Sequence, residues 1–168
     1  MVRLSVTERA QPRLLEATFN DARIVFDLRN DPFIVALGQS GKSVLWDEHL
    51  RWFKHCLESP DLHRIYLITI DALFCCVLRF DRKNTATATV SIYLRQTSIG
   101  RGIGVRAIKL GCELIANLWP IKIIEAFVVS GNTRSERAFR RAGFQADIQQ
   151  QAGQTFVLSV ADLHNGPS

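Results

Sequence analysis

The stretch SIYLRQTSIGRGIGVR, Ser91 to Arg106, constrains this chain more than any other. It starts in the β-branched and aromatic residues of a strand and passes through a loop in which Gly100, Gly102 and Gly104 alternate. It then opens directly into a helix. Glycines at such a junction let the backbone approach a bulky anion, because no Cβ stands in the way. The first N–H groups of the helix have no partner within it and point outward, and the helix dipole adds positive potential there. A strand, a glycine loop and a helix start in this order suit a diphosphate cradle, although a glycine loop taken alone serves equally as a tight turn.

Spacing excludes two other nucleotide sites. Gly41-Lys42-Ser43 ends like a P-loop, but position 36, where the first glycine of that pattern belongs, is alanine. The alternation Gly100-x-Gly102-x-Gly104 also lacks the Gly-x-Gly-x-x-Gly spacing of dinucleotide folds.

Hydrophobic periodicity lays out the rest. A first strand is expected over 13–17, after a strand or irregular arm within residues 1–12. Asn20 or Asp21 caps a helix to about Arg29 built on Ile24, Val25 and Leu28, and Pro32 marks its exit. Residues 38–43 form a polar loop. Trp46, Leu50, Phe53 and Leu57 then recur at helical spacing, in a helix that stops near Ser59-Pro60. Strands over 64–70, 73–81 and 85–94 are separated by turn-sized gaps and form an antiparallel meander. A helix from about Gly102 to Leu118 follows the glycine junction, and Pro120 ends it. An apolar strand over 121–129, a short helix from Thr133 to Ala142 closed by Gly143, and strands over 145–150 and 155–160 complete the order. Residues 161–168 read as a frayed tail. The sum is a mixed α/β (α+β) chain with one strand–helix–strand crossover.

A second motif, NTRSERAFRRAGF from Asn132 to Phe144, follows the strand after the cradle. Together the two segments resemble the GNAT superfamily of N-acetyltransferases. In that family a strand leads to Gln/Arg-x-x-Gly-x-Gly/Ala at a helix start. The next strand leads to Asn, a small residue, an aromatic and a Gly-Phe end. Those positions here are Asn132, Ser135, Phe139, Gly143 and Phe144. DLRNDPF (Asp27 to Phe33), WDEHLRWF (Trp46 to Phe53) and LRFD (Leu78 to Asp81) look like the branch that acetylates nucleotide-linked amino sugars for surface glycans, the pseudaminic-acid-pathway type. Acetyltransferases acting on protein N-termini share a similar start. The resemblance runs from Arg13 to Phe144.

The resemblance implies a single acetyltransferase domain over residues 1–168, with a central mixed sheet of six to seven strands flanked by about four helices. It implies acetyl-CoA as co-substrate, no metal, and direct transfer to a primary amine. Ile92, Tyr93 and Leu94 are then expected to offer backbone groups to the acetyl carbonyl and the pantetheine arm, on a strand that splays from Glu125 to Val128. Gly100, Arg101, Gly102, Ile103, Gly104 and Val105 would wrap the pyrophosphate, and Asn132, Ser135 and Phe139 would face the pantetheine or sulfur end. Two positions depart from the pattern. Ile99 stands where a Gln or Arg usually contacts phosphate, a role left to Arg101 or Arg95. Phe139 stands where a Tyr can return a proton to the thiolate, a job left to Ser135, a water, or unassisted departure of a thiol with pKa near 8.5.

An amine attacks a thioester only when deprotonated, so a base is required. His49, Glu125 and Asp31 are the candidates, and an N–H near Tyr93 would hold the oxyanion. On the acceptor side Arg29, Asn30, Asp31 and His49 could bind sugar or phosphate. Asn30-Asp31-Pro32 serves equally as a helix stop, and the plainer reading of His49 is a helix histidine hydrogen-bonded at the cleft edge or simply solvated. The acceptor expected is a small-molecule amine, a nucleotide sugar. A protein N-terminus or polyamine-like amine is the alternative, and Ile99 and Phe139 keep open a non-catalytic acyl-CoA-binding or interaction module.

The net charge of +5 and pI near 9.3 suit a polyanionic cofactor or substrate. The cations are scattered rather than run together, which argues against nucleic acid. The apolar runs are too short to cross a bilayer and residues 1–12 hold no signal-peptide core, so the expected address is the cytoplasm. The four cysteines show no ligand spacing and read as buried thiols. The sequence allows a homodimer without specifying one.

Overall fold

The computed structural model describes residues 11–164; the expected arm up to residue 10 and the tail from residue 165 lie outside the described residues. Seven strands form one sheet in the order β1-β2-β3-β4-β5-β7-β6. They are β1 (Arg13–Glu16), β2 (His63–Ile70), β3 (Leu73–Arg82), β4 (Thr87–Leu94), β5 (Ile123–Val129), β6 (Gln145–Gln150) and β7 (Gly153–Ser159). The meander β2-β3-β4 is antiparallel as expected, and β4 pairs β5 in parallel across a helical crossover. Asp71 and Ala72 make the two-residue β2–β3 turn with φ of 50° and 64°, a twist that suits a tight hairpin.

The helices are α1 (Ala22–Arg29), α2 (Pro32–Leu37), α3 (Trp46–Glu58), α4 (Ile103–Leu118), α5 (Thr133–Arg141) and α6 (Val160–His164). Two of these exceed the expectation. Pro32 follows the end of α1 at Arg29, as expected, but it also opens a further helix. It sits at the first position of α2, where its missing N–H costs nothing, and the Asp31 carboxylate caps that helix by accepting from the Phe33 N–H at 2.8 Å. Residues 161–164, expected in the frayed tail, continue β7 into α6.

Alternation along the strands splits the core between the two faces of the sheet. Ile65, Leu67 and Val77 pack with Val25, Leu28 and Phe53 of α1 and α3. Ile68, Leu78 and Phe80 pack with Ile108, Cys112 and Ile115 of α4 and with Phe139 of α5. Gly111 lets α4 approach β3: a Cβ there would stand 2.8 Å from Leu78 Cδ1 and 3.1 Å from the Phe80 ring. All four cysteines are buried and free, with Cys75 and Cys76 in different apolar clusters.

Candidate active site

The parallel ladder between β4 and β5 is short. It joins Thr87, Ala88 and Thr89 to Ile123, Ile124 and Glu125, and ends there. On its other edge β4 stays paired with β3 as far as Leu94, and β5 stays paired with β7 as far as Val129. The facing edges of 90–94 and 126–129 therefore lack a strand partner, and a cleft of about 660 Å³ opens between them. Backbone N–H and C=O groups without a ladder need partners, and a ligand lying in this fork could supply them. The splay expected for Glu125 to Val128 is present from Ala126 onward, Glu125 itself still pairing with Thr89.

The α4 N-terminus meets the same cleft. Gly100 and Gly102 adopt φ of 78° and 70°, a left-handed conformation that favours glycine. No side chain caps the helix at Gly102, so its first N–H groups stay available. Gly104 lines the cleft with Ile92 and Leu94; a Cβ added there would stand 3.7 Å from Leu94 Cδ2 and 3.8 Å from Ile92 Cδ1. Ile103 is 1% exposed and packs near Ile70 and Cys75, so only its backbone can serve a ligand. Ile99 also lines the cleft, placing an apolar side chain where a polar one was the family pattern.

Across the fork, Asn132, Ser135 and Phe139 line the cleft from α5. The Asn132 Oδ1 caps that helix by accepting from the Ser135 N–H at 3.2 Å. Phe139 lies edge-on to Phe144 with centroids 5.1 Å apart. Glu125 sits where the ladder ends, its carboxylate accepting from Lys83 Nζ at 2.9 Å.

Three of the residues expected on the acceptor side lie away from the cleft lining. Asn30 is bound in both directions to Val44, donating from Nδ2 to its carbonyl at 2.8 Å and accepting its N–H at 2.9 Å. It fastens the loop after α2 to the end of α1. Asp31 is the α2 cap. His49 is buried between Phe26, Trp46, Trp52 and Phe53, and its Nε2–H donates to the Ala22 carbonyl at 2.9 Å. Burial lowers its pKa below the usual 6.5, partly offset by that hydrogen bond. None of the three lines the cleft, and the ring of His49 is held among aromatics instead. Arg29 does line it, with its guanidinium 5.9 Å from the Tyr93 ring centre.

Sequence reasoning missed Phe33, Ile34 and Leu37, which line the cleft from α2, together with Arg79 and Arg134. The signal was available: Asp31-Pro32 is a cap followed by a first-turn proline. Arg79 donates to the Asp81 carboxylate at 2.6 Å, and His63 Nδ1 lies 2.7 Å from the other oxygen of that carboxylate. Arg134 reaches from α5 to within 5.2 Å of the Phe33 ring centre on α2, spanning the cleft.

Residues 13–145 match the family described as Acetyltransferase (GNAT) domain. No curated protein matches the sequence. Among solved structures, AAC(6')-Ib in complex with ribostamycin and coenzyme A superposes with a TM-score of 0.82 at 13% identity, covering 94% of this chain and 98% of that one. Spermidine N-acetyltransferase from Vibrio cholerae in complex with CoA and spermine gives 0.80 at 14% identity, covering 92% and 99%. YncA, a putative acetyltransferase from Salmonella typhimurium with acetyl-CoA, gives 0.75 at 15% identity, covering 89% and 94%.

Proposed function

Because the chain belongs to the GNAT acetyltransferase family, we propose that it transfers the acetyl group of acetyl-CoA directly to a primary amine, and that the amine is carried by a nucleotide-linked sugar. The observation that carries the transferase reading is the fork: β4 and β5 part beyond Thr89 and Glu125, beside the uncapped N-terminus of α4. The co-substrate supplies an acyl group activated as a thioester.

The chain's own residues divide the remaining work. Backbone groups of Ile92, Tyr93 and Leu94 hold the pantetheine arm as an added strand would be held, and an N–H near Tyr93 receives the developing oxyanion. Gly100 to Val105 offer backbone N–H groups to the pyrophosphate at the helix start. Glu125 takes the proton from the incoming ammonium, directly or through one water, with Lys83 fixing its position at 2.9 Å. Phe139 carries no proton, so the Ser135 hydroxyl or a water returns one to the departing thiolate. The four cysteines are buried, and burial raises the Cys56 thiol to about 11 and pushes Cys76 and Cys112 higher still. A covalent acyl-cysteine step is therefore disfavoured.

A small-molecule acceptor accords with the aminoglycoside and polyamine named for two of the similar structures. The nucleotide-sugar reading rests on the DLRNDPF and WDEHLRWF segments and on a cleft that continues from Gly104 to α2, leaving room beyond the acyl group. Thiol release from acetyl-CoA, followed with amino sugars linked to nucleotides, peptides with free N-termini and polyamines, tests it. Turnover concentrated on the nucleotide sugars supports the reading, and turnover of peptides or polyamines instead replaces it.

A further inference from the structure

Four charged residues line the cleft, and they are not equivalent. Glu125 is paired with Lys83 and Arg79 with Asp81. Arg29 and Arg134 have no carboxylate partner among the described residues. Arg134 makes only a ring contact with Phe33. Arg29 lies against the Tyr93 ring and donates one long hydrogen bond, from Nη2 to the Lys42 carbonyl at 3.4 Å. Its Nη1 is buried with no hydrogen-bond partner.

A half-buried guanidinium with an orphaned nitrogen is costly unless an anion completes it. Nearby groups that could neutralise it are used elsewhere: Asp31 caps α2, and Asp27 pairs with Arg23. The fork of an arginine matches the two oxygens of a phosphate or carboxylate. Resting on the acyl-transfer reading of this cleft, we propose that Arg29 is a specificity-determining residue for an acceptor that carries an oxyanion as well as its amine. Arg134 on the opposite wall adds to the positive potential. Polycationic amines are then repelled from the acceptor end, since two unneutralised arginines face any such molecule in a partly desolvated cleft. The oxyanion is shared by sugar phosphates and amino acids, and the test separates them.

Matched amines differing only in the anion are compared by thiol release: glucosamine 6-phosphate against glucosamine, and alanine against alaninamide, with spermidine as the cationic extreme. Calorimetric binding of the same compounds to the CoA-loaded protein gives a second readout independent of turnover. The expected result is a preference of about 10-fold to 100-fold for the anionic member of at least one pair, the size of a charge-assisted hydrogen bond. The responding pair identifies phosphate or carboxylate. Arg29→Gln should collapse that ratio and Arg29→Lys should leave it intermediate, with the thermal midpoint and the acetyl-CoA titration checking that each variant is folded. Equal binding within both pairs, a preference for spermidine, or a ratio unchanged in Arg29→Gln overturns the assignment. Absence of thiol release with an intact anion preference in binding would instead overturn the transferase reading.

Discussion

Thr89 and Glu125 form the last rung of the parallel ladder between β4 and β5, and both line the cleft that opens beyond it. The rung fixes where β4 and β5 part. Glu125, whose carboxylate is the one lining the cleft among the described residues, stands at the point of the fork.

Glu125→Gln keeps the shape of that side chain and removes its basicity. The expected outcome is a fall in kcat of about 100-fold or more with acetyl-CoA binding retained. A kcat close to that of the unaltered protein would remove Glu125 as the base. Lys83→Ala, which frees the carboxylate, should lower kcat by less.

His49→Gln separates the buried histidine from catalysis. Losing its aromatic packing should cost about 1–2 kcal/mol of stability while kcat is retained. Because burial holds the folded pKa below 6.5, the unfolded chain takes up a proton at this site first as pH falls. Stability is full above 6.5 and drains away as pH falls toward the folded value. Thermal midpoints measured from pH 8 to 5 should therefore fall more steeply for the unaltered protein than for the variant.

Gly111 is the contact point of α4 on β3. Alanine there gains about 1 kcal/mol of helix propensity but meets Leu78 and Phe80 at overpacking distance, which costs about 1–3 kcal/mol. Gly111→Val adds more atoms into the same space and should lower the unfolding midpoint by several degrees, whereas an unchanged midpoint would mean the sheet yields at no cost.

The thiols give an independent check on the core. With Cys56 raised to about 11 and Cys76 and Cys112 raised beyond it, the folded protein should resist alkylation at pH 8. All four should react after denaturation. Fast labelling of Cys56 in the folded state would contradict its burial against Phe53 and Ile65.

Much of this fold is legible in the sequence, because the strands and the long helices repeat apolar residues at their own periods. The positive-φ glycines of the α4 junction were likewise visible as alternation, and the GNAT pattern over Asn132 to Phe144 tied that junction to a second element. The failures have local causes. Asp31-Pro32 satisfies the rules for ending one helix and for starting another; both apply, and the second is hard to read because no apolar period follows in so short a helix. His49 is three residues after Trp46 and four before Phe53, which puts it on the buried stripe; its polarity suggested the rim instead. The fork itself has no residue-level signal, since 90–94 reads like any half-buried strand. Arg29 was legible as a candidate, but its orphaned nitrogen depends on where Lys42 and Tyr93 fall in three dimensions.

Titration of the protein with acetyl-CoA by calorimetry, with CoA and ATP alongside, is the most direct test of the central claim that the fork and the α4 start form a working acyl-CoA site. Saturable binding of acetyl-CoA, with a Kd of about micromolar order and much weaker binding of ATP, is predicted. No heat of binding at millimolar acetyl-CoA would contradict the account, because a cleft with Ile99 and unpaired β4 and β5 edges would then not hold the co-substrate on which every later step depends.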